Sequence, residues 1–242
     1  MSGKPVGLTA TLVKSAICRT TAKCRPHPTL FFFPGLSSKT WHEPHKDTTH
    51  DTWVRRLESS YDAVKREYLD LVEKRKAASD YDVGTEHKLH KGHWDWHSYV
   101  LKGQKQPSFA EACPITAQLL DATESHMTGT PMSYSFFSTL HPRSAIAPHT
   151  AACNLRLRCH FPLIVPSTNA DECGIRVGDE VRAWEEGKAM LFDDAYEHEV
   201  WNHTGSQRVV LLFDIWHPEL VPDERTAIMD MFGYARQQGW MK

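Results

Sequence analysis

Leu155-Arg156-Leu157-Arg158-Cys159-His160-Phe161 alternates between apolar and cationic residues without a break. A strand sends successive side chains to opposite faces, so Leu155, Leu157, Cys159 and Phe161 share one face and Arg156, Arg158 and His160 the other. The first face is expected to join a core. The second is either a solvated edge or the wall of a pocket. Inside a barrel, two arginines and a histidine would need an anion to offset their desolvation. A carboxylate suits that role, because it accepts two parallel hydrogen bonds from a guanidinium.

Around this stretch the chain reads as a series of short β-type segments, at roughly 133–139, 154–165, 174–177, 180–184, 188–193, 198–201 and 208–215. Gly178-Asp179 and Glu186-Gly187 mark tight connections between them. Upstream, Thr29 to Phe33 reads as a short buried strand stopped by Pro34-Gly35. From Asp51 to about Ala77, Trp53, Leu57, Tyr61, Val64, Tyr68, Leu71 and Val72 recur at helical spacing, with Lys74, Arg75 and Lys76 at the end. A loop rich in His, Trp and Gly is expected over His87 to His97, and Pro114 opens a shorter helix through Leu119 and Leu120. Helices first and many short strands after them predict a mainly β fold with flanking helices, a sandwich or barrel.

A chain of 242 residues is long enough for one substantial core, so a single domain over 26–242 is expected after a flexible basic arm at 1–25. The arm has no acidic residue but carries Lys4, Lys14, Arg19, Lys23 and Arg25, a composition shared with organelle transit peptides. A plain disordered arm and a cytoplasmic location are the simpler expectation. A formal net charge of −2 gives no reason to expect a nucleic-acid partner, and no apolar run reaches the ~20 residues of a membrane span. The six cysteines form no CxxC pair and are expected to be reduced. Fifteen histidines point toward metal chemistry, since imidazole is the commonest protein metal ligand.

A mononuclear iron(II) oxygenase binds its metal through two histidines and usually one carboxylate on a single face. His45-Lys46-Asp47, His93-Trp94-Asp95 and His217-Pro218-Glu219 all have the H-x-D/E spacing. Such three-residue patterns arise easily by chance in a chain this rich in histidine, and the first two fall in loop-like segments. His149 and His198 are better placed, each at the edge of a predicted strand. Arg208 heads the apolar run Val209 to Phe213, where a buried guanidinium again needs an anion.

Longer segments carry a more specific signal. Pro148-His149-Thr150, Asn154 to His160, Trp184-Glu185-Glu186-Gly187-Lys188, Phe192 to Trp201 and Asp214 to Leu220 together resemble the catalytic domain of the aspartyl/asparaginyl β-hydroxylase family. Weaker similarity reaches upstream through Phe33-Pro34-Gly35-Leu36 and Gly92-His93-Trp94. The family comprises Fe(II)- and 2-oxoglutarate-dependent oxygenases with a double-stranded β-helix (jelly-roll, cupin-like) barrel. The resemblance implies that His149 and His198 bind iron. It implies that Ser138 and Arg208 hold the distal carboxylate of 2-oxoglutarate, that Arg158 and His160 lie near its metal-chelating end, and that Arg156 contacts the substrate. Ala151 stands where most related oxygenases have a carboxylate ligand and this family has glycine, so the third protein ligand is missing. Water, or chloride as in iron halogenases, would suit the open position. Glu197 and Glu199 should point away from His198 on a strand. Phe136 replaces a basic residue that contacts an acidic substrate side chain in the protein-modifying members.

The expected activity is therefore O2-dependent oxidation, by default hydroxylation, of a C–H bond in a small-molecule substrate, with specialised metabolism as the expected setting. Alternatives are hydroxylation of Asp or Asn in a protein; halogenation, desaturation or cyclisation on the same scaffold; and a non-catalytic metal-binding barrel. The oligomeric state is not legible.

Overall fold

The computed structural model describes residues 26–46, 48–81 and 89–240. The expected basic arm at 1–25 lies outside the described residues, as do Asp47 and part of the His87–His97 segment. A seven-stranded sheet has the order β1 (Trp41–His42), β10 (Met190–Phe192), β7 (Arg156–Ile164), β12 (Arg208–Trp216), β5 (Ser135–Leu140), β3 (Trp94–Leu101), β4 (Gln104–Lys105). A five-stranded sheet has the order β2 (His90–Lys91), β6 (Ser144–His149), β11 (His198–Asn202), β8 (Cys173–Val177), β9 (Glu180–Arg182). All pairings within the two sheets are antiparallel.

Period-two alternation sorts the side chains of the larger sheet. Leu157, Cys159 and Phe161 of β7 and Val209, Leu211, Phe213 and Ile215 of β12 face outward, into one cluster with Trp53, Leu57, Val64, Tyr68 and Leu71. Those residues come from α1 (Thr48–Ser59), α2 (Tyr61–Leu69) and the π-turn Asp70–Lys74 that continues α2. Burying each such Leu or Phe contributes about 1.5–3 kcal/mol relative to exposure. The inner face gives Phe136, Leu140, Val210 and Leu212, which meet Ile146, Ile175, Val177 and Val200 of the smaller sheet. Two antiparallel sheets closed on each other, with helices on one outer face, form the expected double-stranded β-helix.

Several local expectations are corrected. The single helix over 51–77 is two, broken at Ser60. There the hydroxyls of Ser59 and Ser60 both donate to the Arg56 carbonyl, at 2.8 and 2.9 Å, and compete with the helical ladder. The strand over Thr29–Phe33 reduces to one bridge between Phe31 and Cys153. Phe31 and Phe33 instead pack on a third cluster with Trp216, Leu220, Ile228 and Phe232. The last two belong to α5 (Pro222–Gln237), an element the sequence reading omits. The described part of the expected His/Trp loop contains β2 and the first half of β3. The strand β6, which carries His149, was not anticipated either; Pro148 interrupts its pattern.

The helix opening at Pro114, α4 (Pro114–Asp121), follows a shorter α3 (Pro107–Ala112). Its first amides are capped from another element: Glu67 accepts from the N–H groups of Ile115 and Thr116, both at 2.8 Å. Cys113, Cys153, Cys159 and Cys173 are buried free thiols. No helix among the described residues is long and apolar enough to cross a membrane.

Candidate metal and anion site

His149 ends β6, His198 begins β11, and the two are register partners across the smaller sheet. Their ring centroids lie 4.1 Å apart. His149 Nδ1 donates to the Ala147 carbonyl at 2.8 Å, and His198 Nδ1 to the Tyr196 carbonyl at 2.9 Å. A carbonyl can only accept, so each Nδ1 carries the proton and each Nε2 keeps its lone pair. Burial pushes the pKa of His149 down, with Arg158 adding to the effect against the Ala147 carbonyl. Burial, then the neighbouring His149, holds His198 well below the usual histidine range. The result is a pair of neutral imidazoles in the tautomer a metal requires.

Ala151 offers the metal no oxygen; it is buried, and its N–H donates to the Asp194 carbonyl at 2.8 Å. Glu197 and Glu199 are both held by Arg176, at 3.0 and 2.5 Å, as their place on the strand suggests. Among the described residues no third His, Cys, Asp or Glu joins His149 and His198 in a metal-sized group. The H-x-D/E patterns lie elsewhere. His45 bonds Asp51 and Glu58 on the surface. His217 donates to the Ser37 carbonyl, and Glu219 accepts from the Ser37 N–H, so that pair clasps the segment before β1 to the end of β12. His93 and Asp95 meet His141 on the outer side of the larger sheet.

Arg208 is 1% exposed. Its Nη1 donates to the carbonyl and the hydroxyl of Ser138, both at 3.2 Å, and its guanidinium lies 4.9 Å from the centre of the Trp184 ring. Its Nε has no partner, and no carboxylate among the described residues pairs with it. Burial lowers its pKa to about 10. The Ser138 hydroxyl also accepts from Trp94 Nε1 at 2.9 Å, which leaves the hydroxyl proton free to donate onward. A cation, a hydroxyl donor and an unused guanidinium N–H together suit a carboxylate.

Arg156 and Arg158 face the same interior but are already neutralised. Arg156 contacts Asp194 through Nε and Nη2, the latter at 2.6 Å, and Asp214 through Nη1 at 3.1 Å, and it donates to the Met132 carbonyl. Arg158 reaches Asp214 through Nε at 2.9 Å and Asp194 through Nη1 at 3.1 Å. Both carboxylates are fully buried. Burial alone would raise the Asp194 pKa, but the two guanidiniums hold it well below the carboxylate range. The expectation that this cationic face requires a foreign anion is thus corrected: the chain supplies two of its own.

His160 differs from the other two site histidines in its proton. Trp184 Nε1, which can only donate, approaches His160 Nδ1 at 3.3 Å. Burial, reinforced by Arg208 and Arg158, holds His160 well below the usual range, so the ring is neutral and its proton sits on Nε2. It therefore presents a hydrogen-bond donor rather than a ligand lone pair. Ring contacts run from Trp184 to His160, from His160 to Phe192 at 5.0 Å, and from Phe192 to His198 at 5.8 Å. The anion cradle and the histidine pair are thereby continuous.

Trp184, Trp94, Asp194 and Asp214 were not singled out as site residues by sequence. One signal was available: a lone Asp214 inside the apolar run Val209–Trp216, on the same strand face as Arg208, must be buried and so must be paired.

The family model described as aspartyl/asparaginyl beta-hydroxylase matches residues 58–218. The mouse aspartyl/asparaginyl beta-hydroxylase is 34% identical over 199 residues, covering 82% of this chain and 26% of that protein. An ornithine lipid ester-linked acyl 2-hydroxylase from Rhizobium tropici is 34% identical over 75% of this chain and 63% of its own. The rat aspartate beta-hydroxylase domain-containing protein 2 is 32% identical over 86% and 60%. The chain thus spans about a quarter of the mouse protein's length and under two thirds of the other two. A solved 2OG-Fe(II) oxygenase-family oxidoreductase from Burkholderia pseudomallei, at 13% identity and a TM-score of 0.46 over 78% of this chain and 96% of its own, is too distant to add weight. The segments that carry His149, Arg158, His160, His198 and Arg208 all fall inside the matched span, and the chain belongs to the aspartyl/asparaginyl β-hydroxylase family of iron(II)- and 2-oxoglutarate-dependent oxygenases.

Proposed function

We propose that this chain is a dioxygenase that uses iron(II), 2-oxoglutarate and O2 to hydroxylate a C–H bond of a small-molecule substrate. The observation that carries the reading is Arg208: a fully buried guanidinium with no carboxylate partner, beside a serine whose proton is unassigned, on the same inner surface as two neutral histidines with free Nε2 lone pairs. Burying an unpaired cation is costly, and a dicarboxylate ligand removes that cost. Together the iron, the keto acid and O2 supply the oxidant, with 2-oxoglutarate leaving as succinate and carbon dioxide.

The chain's own residues do the positioning. His149 and His198 would hold the metal. Arg208 and Ser138 would take the distal carboxylate, and the Nε2–H of His160 would donate to the chelating end. Arg158 would lie beside that end, and Arg156 beside the substrate; Asp194 and Asp214 fix both side chains and cancel their charge. That cancellation disfavours an acidic substrate side chain. So does Phe136, which is stacked on Trp96 with centroids 4.1 Å apart and presents an aromatic surface in place of a cation. A relative named for hydroxylating the acyl chain of a lipid is consistent with such a substrate.

The test is anaerobic reconstitution with Fe(II) and 2-oxoglutarate followed by O2, with succinate measured for the native chain and for His149→Ala and His198→Ala across small-molecule and Asp/Asn-peptide panels. Succinate above both variants is expected, coupled to a +16 Da product from a small molecule. Coupling only to peptides would transfer the reading to protein hydroxylation. A chloride-dependent product mass would instead assign the position beside Ala151 to halide. Native protein that neither makes succinate nor binds 2-oxoglutarate would leave only a metal-binding barrel.

A further inference from the structure

A second cluster of metal-ligand type lies outside this site. His93 and Asp95 are two residues apart where β3 begins, and His141 follows the last residue of the paired strand β5. Asp95 is the register partner of Thr139, whose hydroxyl bonds Tyr68 of α2, so Asp95 lies on the helix-covered outer face. Ser138, the inward neighbour of Thr139, belongs to the anion cradle. The cluster and the proposed iron site are therefore on opposite sides of one sheet.

The backbone of the cluster is fixed on several sides. His141 N–H donates to the His93 carbonyl at 3.1 Å, and His93 N–H donates to the Ser144 hydroxyl at 2.9 Å. Gly92, at φ +86°, lets the chain approach Ser144 so closely that a Cβ would come within 2.2 Å of the hydroxyl oxygen. Asp95 sends its two carboxylate oxygens to different histidines: Oδ1 lies 3.2 Å from His93 Nε2 and Oδ2 lies 2.7 Å from His141 Nε2. The two rings sit 4.6 Å apart at 70°. One donor atom from each residue fits within a 4.8 Å limit on every pairwise distance. Ligands 2.0–2.1 Å from a tetrahedral zinc stand about 3.3 Å from one another, and the two imidazole nitrogens already lie 3.2 and 2.7 Å from the carboxylate, each on a different oxygen, so a metal would draw both to one side of it. The side chain of His93 is 69% exposed, which leaves water an approach to a fourth coordination position.

We infer that His93, Asp95 and His141 form a second divalent-metal site that takes zinc(II), with two imidazoles, one carboxylate and one water, and that ties the start of β3 to the β5–β6 turn. Imidazole nitrogen and carboxylate oxygen suit zinc and the other divalent first-row metals, whereas magnesium and calcium prefer all-oxygen shells. The site is independent of whether the chain is an oxygenase.

The experiment is zinc titration of the metal-stripped full chain by calorimetry, repeated with cobalt(II) for its visible absorption. The native chain is expected to bind two equivalents, one lost in His149→Ala and the other in Asp95→Asn and in His141→Gln. His93→Gln, a surface change that leaves folding intact by circular dichroism, is expected to lose the same equivalent as Asp95→Asn and the thermal stabilisation that accompanies it. A native chain that binds one equivalent, abolished by His149→Ala, overturns the inference. So do Asp95→Asn and His93→Gln chains that bind as much zinc as the native one.

Discussion

Arginines on the inner face of the larger sheet occupy two contrasting settings. Arg156 and Arg158 share Asp194 and Asp214, two cations against two anions, and little of that charge remains for a ligand. Arg208, on the neighbouring strand, has a serine and a tryptophan face but no carboxylate among the described residues. Both settings are buried, so desolvation cannot explain the difference. What separates them is who provides the anion: the fold in one case and, on the proposed function, a ligand in the other. The residue type alone marks neither; the difference lies in the partners.

The largest effect is expected where the fold provides the anion. Asp194→Asn leaves two buried guanidiniums with one carboxylate, and removing one partner of a buried pair costs about 3–5 kcal/mol. Denaturant unfolding should show that loss; a variant as stable as the native chain would show that the arginines do not depend on Asp194. Arg208→Met should behave in the opposite way. It removes an unpaired buried charge, so stability should hold or rise, while 2-oxoglutarate affinity falls by roughly 30- to 3,000-fold, the range for truncating a buried charge partner. If unfolding and binding both suffered equally, Arg208 would belong with Arg156.

Acid should separate the two settings as well. His160 and His198 titrate below an unfolded histidine, so the unfolded chain takes up more protons as pH drops below about 6.5, and stability declines by at most about 1.4 kcal/mol per pH unit per histidine. Asp194 is also depressed, but its contribution is complete above the unfolded carboxylate value of about 3.9 and is lost only as pH falls below that. Between pH 6.5 and 4 Asp194 should stay charged while the ligand side weakens. His160→Gln should flatten the slope of unfolding free energy in that window, and Asp194→Asn should leave it unchanged. The smallest effect is expected for Trp184→Phe, which keeps a ring under Arg208 and removes the donor to His160. A loss near 1 kcal/mol, about fivefold in 2-oxoglutarate affinity, should appear in a binding titration.

The legibility of these features follows from their physics. Alternation along β7 places Leu157, Cys159 and Phe161 opposite Arg156, Arg158 and His160, and period two is a strong signal when one face is core. The strand β3 was hidden because its inner face is built from Trp94 and Trp96, large polar-edged rings that read as a loop when mixed with histidine and glycine. The strand β6 was obscured by Pro148. The match of surrounding segments located His149 and His198, whereas spacing alone would have favoured His93-Trp94-Asp95, which does find a histidine partner but on the outer face. Asp194 and Asp214 escaped because counter-ion pairing joins residues 38 and 56 positions from their arginines, and local sequence holds no record of such partners.

The proposed metal ligands face each other across one rung of an antiparallel pair. Cross-strand neighbours stand about 4.5–5.5 Å apart whatever chain lies between them. The separation of His149 and His198 is therefore set by strand register, although the chain between them runs out through β7, β8, β9 and β10 before it returns. A one-residue slip of β11 against β6, by contrast, would turn one imidazole to the opposite face and abolish the pair in a single step. The spacing of the pair and its sensitivity to register are two consequences of the same rung.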